Sequence, residues 1–224
     1  MQTGDFQFNG ATLTACADAA LWWAAERVLC VSDLHLGKSE RIARRGGTLL
    51  PPYDTAETLS RLRDAVQRFD PAVVICLGDS FDDLAAGEAL DAEARQALTV
   101  MMAGRQWIWI EGNHDPGPVD LGGVHRDEVR HGPLTFRHIA EHDAEPGEIS
   151  GHWHPKARLS TPRGRVGSSC FVVTPSRVIL PAFGAYTGGL SVTHDALAPW
   201  IEGETRIILT RAPQHHIPFD RISP

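Results

Sequence analysis

Three short apolar segments, each followed by polar residues that include aspartate, mark the first half of the chain. The segments are RVLCV, AVVICL and QWIWI, at residues 27–31, 72–77 and 106–110, and they precede SDLHLGK, GDSFDD and EGNHD. Their length, their β-branched and aromatic content and the Gly, Asp and Asn residues around them predict buried strands. Upstream, the shorter segments DFQFNG, ATLTA and AALWW predict further strands.

Two stretches between these strands have the three- and four-residue apolar spacing of a helix. The first is YDTAETLSRLRDAVQRFD, for which Asp54 or Thr55 is the expected N-cap. The second is ALDAEARQALTVMMAG, in which Gly104 suits the helix exit. The apolar positions are Leu59, Leu62, Val66 and Phe69 in the first stretch, and Leu90, Ala94, Ala97, Leu98 and Met101 in the second.

The alternation of strands and helices predicts an α/β fold with crossover connections. Beyond residue 120 the segments GPLTFRHI, ARLSTPR, GSSCFVVT and RVILPAF predict a second, mostly antiparallel sheet and no further long helix. No linker rich in Pro, Gly or Ser and no internal repeat interrupts the sequence. Residues 1–224 are therefore expected to form a single domain, a length sufficient for one full core.

Composition and charge restrict the compartment and the partners. No apolar run reaches the roughly 18–20 residues that a membrane span needs, and no signal-peptide pattern is visible, so a cytoplasmic protein without membrane contact is expected. Four cysteines without close spacing argue against a disulfide framework or a zinc ribbon. At a net charge of −7, a phosphate-bearing partner must be held locally, and bound metals could supply the positive charge.

The polar residues after the predicted strands are of the types that bind divalent metals. Ligands of α/β sheets bind beyond the carboxyl ends of the strands, where Asp33, Asp79 and Asn113 are expected to emerge. In D-x-H and H-x-H segments alternate side chains point the same way, and Gly151 allows close backbone approach. A set without thiolates suits Mn²⁺ or Fe, with Zn²⁺ as a further option. The candidates are Asp33, His35, Asp79, Asn113, His114, His138, His152 and His154.

The order DLH, GD, GNHD, a separate histidine and GHxH, which spans residues 33–154, resembles the calcineurin-like metallophosphoesterase superfamily. The resemblance implies a two-sheet β-sandwich flanked by helices, with a binuclear metal site at the carboxyl ends of the strands. Asp79 would bridge two divalent metal ions. One ion would be bound by Asp33, His35 and His154, and the other by Asn113, His138 and His152.

The same resemblance implies phosphoester hydrolysis by attack of a metal-activated hydroxide. His114 would protonate the leaving oxygen as general acid, Asp115 would orient His114, and Asn113 could also donate its amide to a phosphate oxygen. The fourth motif, FRHIAEH, lacks the neighbouring glycine or histidine often found there. His131 or His142 could therefore replace His138, although the predicted strand favours His138.

Segments outside the metal motifs bear on the substrate. DLHLGKSERIARRGG, LLPPYDTAETLSRL and LPAFGAYTGGL at 180–190 resemble the bacterial ligase-associated DNA damage response endonucleases, also called PdeM. This resemblance covers nearly the whole chain. It implies a Mn²⁺-dependent phosphodiesterase or endonuclease that acts on DNA, single-stranded or at ends, in DNA repair, with a DNA ligase and a helicase as functional partners.

Two other functions compete with that interpretation. A small-molecule phosphodiesterase or phosphatase, for instance one acting on cyclic nucleotides, agrees with the chain's negative charge and small size. A non-catalytic scaffold is the third interpretation, and the presence of every ligand type together with His114 argues against it.

Basic residues follow the first and last metal motifs. The substrate-binding candidates are Lys38, Arg44, Arg45 and Arg163, which would follow a nucleic-acid backbone beside the metals. The competing interpretation is that these charges are solvated and partly paired with acids. Tyr53 and Trp153 could stack on a base, although Trp153 could equally pack beneath the histidine pair. The other basic residues that follow these two motifs are Arg41 after the first motif and Lys156, Arg158 and Arg165 after the last.

Overall fold

In the computed structural model, which describes residues 4–47, 50–161 and 164–222, two β-sheets pack face to face around a shared core. The first sheet is antiparallel from β1 to β4 and parallel from β4 to β7. Its strands, in spatial order, are β1 (Asp5–Phe8), β2 (Ala11–Ala15), β3 (Leu21–Trp23), β4 (Val28–Val31), β5 (Val73–Leu77), β6 (Gln106–Ile110) and β7 (Val124–Arg126).

The second sheet is mostly antiparallel, as predicted, except that β10 pairs parallel with β9 and with β13. Its spatial order is β15, β14, β12, β13, β10, β9, β8, and β11 forms a hairpin with β12. The strands are β8 (Glu128–His131), β9 (Leu134–Arg137), β10 (Glu148–Ser150), β11 (Lys156–Thr161), β12 (Gly164–Val173), β13 (Arg177–Ile179), β14 (Arg206–Leu209) and β15 (His216–Pro218).

Four α-helices lie within the described ranges, and two of them were predicted. The predicted helices are α2 (Asp54–Phe69) and α4 (Ala92–Met102), and Gly104 follows α4 with a left-handed φ of 74°. The helices α1 (Lys38–Arg44) and α3 (Leu84–Glu88) were not predicted. No helix in the described ranges is long and apolar enough to cross a membrane.

The expected N-cap of α2 is wrong. Tyr53 precedes the helix and makes no side-chain cap. The carboxylate of Asp54 instead accepts hydrogen bonds from the backbone and hydroxyl of Ser39, and the Thr55 hydroxyl accepts one from the amide of Gly37 at 2.9 Å. These side chains accept hydrogen bonds from amides at the start of α1. They therefore connect α1 to α2 and do not cap α2 itself.

The central strands bury both faces, which explains their continuous apolar runs. In β5, Val73, Ile75 and Leu77 enter the core between the sheets, whereas Val74 and Cys76 face the helices, as strand alternation requires. A third cluster, which includes Trp200, covers the outer face of the second sheet. The two-sheet α/β architecture expected from the sequence is confirmed.

The four cysteines are free and buried. Burial raises the pKa of the Cys16 thiol to about 12. The thiols therefore act as small apolar side chains.

Candidate metal centre

The candidate ligands lie in loops that leave the carboxyl ends of strands in both sheets. Asp33 and His35 follow β4, Asp79 follows β5, and Asn113 follows β6. The second sheet supplies the remaining three from across the core: His138 follows β9, and His152 and His154 follow β10.

The first ligand group consists of Asp33, His35 and His154, whose donor atoms lie within 4.8 Å of one another. Asp33 and His35 are buried, at 0% and 4% exposure. Oδ1 of Asp33 lies 3.0 Å from Nε2 of His154, yet neither this oxygen nor Nε2 of His35 has a hydrogen-bond partner among the described residues. Buried polar atoms are normally satisfied, so these two acceptors point to a missing partner.

The second ligand group consists of Asp79, His138 and His152, again with donor atoms within 4.8 Å. Nε2 of His138 lies 3.0 Å from Oδ1 of Asn113 and 3.3 Å from Nδ1 of His152. The structure thus brings His138 to the site. His131 instead lies 3.2 Å from Glu26, and His142 stacks on Trp200.

Asp79 belongs to the second group and also faces His35 of the first group. Its Oδ2 is 3.8 Å from Nε2 of His35 and 3.5 Å from Nε2 of His138. Burial alone would raise the pKa of Asp79, but hydrogen bonds from His138 and from the amide of His114 hold it well below its usual range. The carboxylate is therefore ionised where two cations could share it.

The donor set fits divalent cations. Nδ1 of His138 lies 3.0 Å from the carbonyl of Leu77, which can only accept, so the proton is on Nδ1 and the lone pair of Nε2 faces Asp79 and His152. Burial alone would lower the pKa of His138, but the carboxylates of Asp79 and Asp33 raise it to about 9. The site therefore attracts positive charge, which a proton supplies when no metal ion does.

Five of the ligand residues have a left-handed backbone, which is uncommon outside glycine. Their φ values are 54° at Asp33, 45° at His35, 45° at Asp79, 70° at His152 and 46° at His154. Such strain persists only where the surroundings enforce it, and it is concentrated at functional sites.

Two glycines make room for this arrangement. A Cβ on Gly78 would lie 2.3 Å from the ring of His138, and a Cβ on Gly151 would lie 1.8 Å from Oγ of Ser32. The close backbone approach expected at Gly151 is what the structure has.

His114 lies beside the first group, with its ring centroid 5.2 Å from that of His35. Its Nδ1 is 2.9 Å from the carbonyl oxygen of Asp82, so Nδ1 carries the proton and Nε2 remains available. The orienting role expected of Asp115 therefore falls to the Asp82 backbone.

Asp115 has a different position from the one expected. Its carboxylate accepts hydrogen bonds from the amides of Gly112, Ser80 and Phe81, at 3.0, 2.8 and 3.1 Å. Burial raises the pKa of Asp115 to about 7. The side chain joins the loop after β6 to the loop after β5, and so holds Asn113 close to Asp79.

Asp82 is a further residue of the site that the sequence patterns did not predict. This fully buried carboxylate lies 2.7 Å from Nδ1 of His35 and is paired with Arg41, while Nζ of Lys38 is 3.8 Å away. It fixes the proton of His35 on Nδ1, which leaves the Nε2 lone pair to face the first group. The signal was present in GDSFDD, three residues beyond Asp79.

The basic residues after the first motif are paired with acids. Lys38 contacts Asp82, while Arg44 and Arg45 both contact Asp83, at 2.8 and 3.3 Å. This arrangement favours the interpretation of these charges as partly paired. The candidate Arg163 lies outside the described residues.

The two proposed stacking aromatics differ in environment. Tyr53 is 67% exposed, whereas Trp153 packs on the outer cluster with its ring centroid 6.2 Å from that of Trp200. The structure therefore favours the packing role for Trp153.

The segment PAFGAYTGGL lies against the first and last ligand loops. The amide of Gly184 donates to the carbonyl of Asp33 at 3.1 Å, and a Cβ on Gly184 would lie 2.1 Å from the carbonyl of Leu34. A Cβ on Gly189 would lie 2.3 Å from the carbonyl of His154. The segment therefore supports both loops that supply the first ligand group.

Comparison with known proteins agrees with this geometry. A family model described as calcineurin-like phosphoesterase matches residues 26–196, an interval that contains all the candidate ligands. Among solved structures, the crystal structure of Pseudomonas putida nuclease MPE matches with a TM-score of 0.71 and 28% sequence identity, and the match covers 96% of this chain and 98% of that chain. Comparison with curated proteins gives no significant match.

Proposed function

Because the chain belongs to the calcineurin-like phosphoesterase family, and is therefore a metal-dependent phosphoesterase, we propose that it is an endonuclease that hydrolyses phosphodiester bonds in DNA. The observation that carries this proposal is the likeness to a nuclease over nearly the full length of both chains. The two ligand groups on either side of Asp79 support it, because such a pair suits the cleavage of phosphodiesters.

Asp33, His35 and His154 would hold one divalent ion and Asn113, His138 and His152 the other, with Asp79 shared. When bound, divalent ions neutralise phosphate oxygens and lower the pKa of water. Oxygen and imidazole donors without thiolate favour Mn²⁺, and they also accept Fe or Zn²⁺.

The remaining chemistry is supplied by His114 and its support. The Asp82 carbonyl keeps a proton on Nδ1, so a doubly protonated His114 carries its transferable proton on Nε2. We assign to that atom the protonation of the leaving oxygen. An alkoxide is a poor leaving group, so this step needs a general acid. Asn113 holds a second role if its amide nitrogen donates to a phosphate oxygen.

The wider setting is also a proposal. We infer that the chain works as one domain, since both sheets share a core and contribute ligands. The resemblance to ligase-associated endonucleases supports a cytoplasmic role in DNA repair, on single strands or ends, together with a DNA ligase and a helicase.

A small phosphodiester is the second candidate substrate, and one observation favours it. The groove beside Asn113 and His138 is lined by acids that would repel a polyanion. Arg137 pairs with two of these acids and is the basic residue among those that line the groove. The acids are Glu111, Asp127, Glu128 and Glu141.

The test compares three substrates in the presence of Mn²⁺: single-stranded circular DNA, bis-p-nitrophenyl phosphate and a phosphomonoester. We expect cleavage of the circle and of the diester, and weak or no cleavage of the monoester. Asp79→Asn is the matched control, because it removes the shared charge without changing shape. Cleavage of bis-p-nitrophenyl phosphate without cleavage of DNA would contradict the DNA endonuclease proposal and favour a small phosphodiester as the substrate.

A further inference from the structure

A cavity of about 430 Å³ adjoins the first ligand group, between the β11–β12 hairpin and the end of the segment PAFGAYTGGL. Its lining is basic and otherwise made of very small residues. The two basic residues of the lining are Lys156 and Arg158. Small residues of the lining include Gly167, Ser169 and Gly189.

Strand alternation directs both basic side chains into this cavity. Ala157, between them, is buried in the outer cluster, so Lys156 and Arg158 project from the opposite face of β11. The residues directly across the hairpin are Ser169 and Gly167, in that order. Residues opposite one another in a hairpin project from the same face. The two long basic side chains therefore lie beside two small residues, which leaves space next to the charges.

One wall of the cavity contacts the loop that carries His154. Lys156 follows His154 by two residues, and its amide donates to the carbonyl of Leu190 at 2.8 Å. Gly189 lies against both features: a Cβ there would be 2.3 Å from the carbonyl of His154 and 2.8 Å from Cε of Lys156. A ligand in the cavity would therefore lie against the loop that carries His154.

The charges in this cavity have no acidic partner among the described residues. Neither Lys156 nor Arg158 forms an ion pair with any side chain that the structure describes, whereas Lys38, Arg44 and Arg45 on the α1 side all do. Two such cations beside a phosphoesterase centre form a local site for a phosphate, and the acidic groove lies on the other side, next to His138.

We propose that this cavity binds the phosphate next to the scissile one, so that a nucleic-acid strand leaves the metal centre on the His154 side along the β11–β12 hairpin. The inference rests on the proposed function, and it goes further by assigning the direction of the strand and the residues that hold it. Lys156 and Arg158 neutralise the neighbouring phosphate, and the small residues opposite them give the sugar–phosphate chain room.

The experiment measures kcat/KM for a single-stranded oligonucleotide and for bis-p-nitrophenyl phosphate, with Mn²⁺, at several salt concentrations. For Lys156→Ala combined with Arg158→Ala, we expect the ratio of oligonucleotide to diester kcat/KM to fall at least tenfold. The salt dependence of oligonucleotide binding should weaken by about 0.7 in log–log slope for each phosphate that the variant no longer neutralises. Arg206→Ala is the control, because Arg206 lies opposite Val173 at the carboxyl end of β12 and lines a different cavity.

A second pair of variants leaves both basic residues in place. A Cβ on Gly167 would meet only Cγ of Arg158, at 4.0 Å, so a side chain fits there. Gly167→Asp should lower the same ratio several-fold further than the isosteric Gly167→Asn does, because both side chains occupy the cavity but only the aspartate neutralises its charge. This comparison tests phosphate binding in the cavity even if the double variant does not fold.

The outcomes are separable. A ratio within twofold of wild type in both the double variant and Gly167→Asp overturns the inference. If the wild-type protein with Mn²⁺ cleaves the diester but no oligonucleotide, the proposed DNA function fails first and the strand assignment falls with it.

Discussion

The imidazole of His35 is held by Asp82, a residue of another loop, and not by a neighbour in its own motif. Asp82 also forms ion pairs with Arg41 and Lys38. One buried carboxylate therefore fixes the positions of a candidate metal ligand and two cationic side chains. Burial alone would raise its pKa, but His35 and Arg41 hold it below the usual range. Partners of this kind fix the tautomer of a metal-binding histidine and raise its basicity.

Asp82→Asn tests this role. The amide can still accept from His35, but it removes the charge that faces Arg41, so we expect affinity for Mn²⁺ to fall by about 10–100-fold. Calorimetric titration of the metal-free protein measures the change. Asp83→Asn is the neighbouring control, because asparagine can still accept from the amide of Ala86 at the start of α3. Equal affinities in the two variants would contradict the role.

His114→Ala separates proton transfer from metal binding. We expect both metal ions to remain, as measured by elemental analysis of the dialysed protein, because His114 belongs to neither of the two proposed ligand groups. Turnover of DNA should fall by about 10²–10⁴-fold, while p-nitrophenyl esters, which need no acid for their leaving group, should lose much less. Loss of metal in this variant would instead make His114 a ligand.

The sequence identified the side chains that the structure brings together better than it identified the contacts that hold them. The ligands lie in motifs of fixed spacing beside glycines, a pattern that a linear reading detects. Asp82 and the Asp82 carbonyl act through contacts with His35 and His114, 47 and 32 residues away in the chain, which only the folded loops reveal. Asp115 was assigned to His114 because the two are adjacent in sequence, but its carboxylate turns back to the amides of Ser80 and Phe81.

At the scale of elements, the ligand loops depend on tight contact between neighbouring backbones. Asp33 donates its amide to the carbonyl of Gly78, and His35 donates its amide to the carbonyl of Asp79, at 3.2 and 2.9 Å. Gly151 then brings the loop after β10 against Ser32 and Asp33. The amide of His152 also donates to the Asp33 carboxylate at 3.1 Å, so hydrogen bonds within the first sheet and between the sheets hold the left-handed residues.

Gly151→Ala tests this packing. The new Cβ would lie 1.8 Å from Oγ of Ser32 and 2.7 Å from Oδ2 of Asp33, so the loops must separate. We expect the free energy of unfolding to fall by about 1–3 kcal/mol, measured by urea denaturation, and Mn²⁺ affinity to fall with it. Gly117→Ala is the control, because nothing lies within 4 Å of its Cβ position. An unchanged midpoint in Gly151→Ala would show that the loops are free to move.

Element prediction succeeded where apolar positions repeat and failed where they do not. The stripe of α2 and the alternation of β5 come from burial against a layer, which shapes the sequence directly. Helix α1, KSERIAR, is seven residues long with Ser39 as its buried residue, and α3 has only five residues. Their stability comes from contacts such as Asp54 with Ser39, which leave no periodic pattern.

At the scale of the whole molecule, the candidate metal centre lies where the two sheets meet. Asp33, His35 and Asp79 come from the first sheet, whereas His138 and His152 come from the second. Cations bound there would stabilise the folded chain, because the groups come together only when both sheets have formed.

Metal removal should therefore lower thermal stability. At a metal concentration of a hundred times Kd, binding adds about 2.7 kcal/mol to the free energy of unfolding. In a domain of this size that corresponds to roughly 5–10 °C in Tm between Mn²⁺-loaded protein and protein treated with EDTA. Differential scanning fluorimetry measures it, and Asp79→Asn should show a smaller difference. Identical Tm values with and without metal would contradict this link.

The division of ligands between the sheets has a consequence for protein synthesis. A nascent chain whose first sheet has emerged from the ribosome presents Asp33, His35, Asp79 and Asn113. It still lacks the three candidate histidines of the second sheet, His138, His152 and His154. It can complete neither proposed metal group, so we expect hydrolytic competence only after the segment up to His154 has been synthesised and folded. A truncated product that ends before His138 would thus be inert towards phosphoesters inside the cell that makes it.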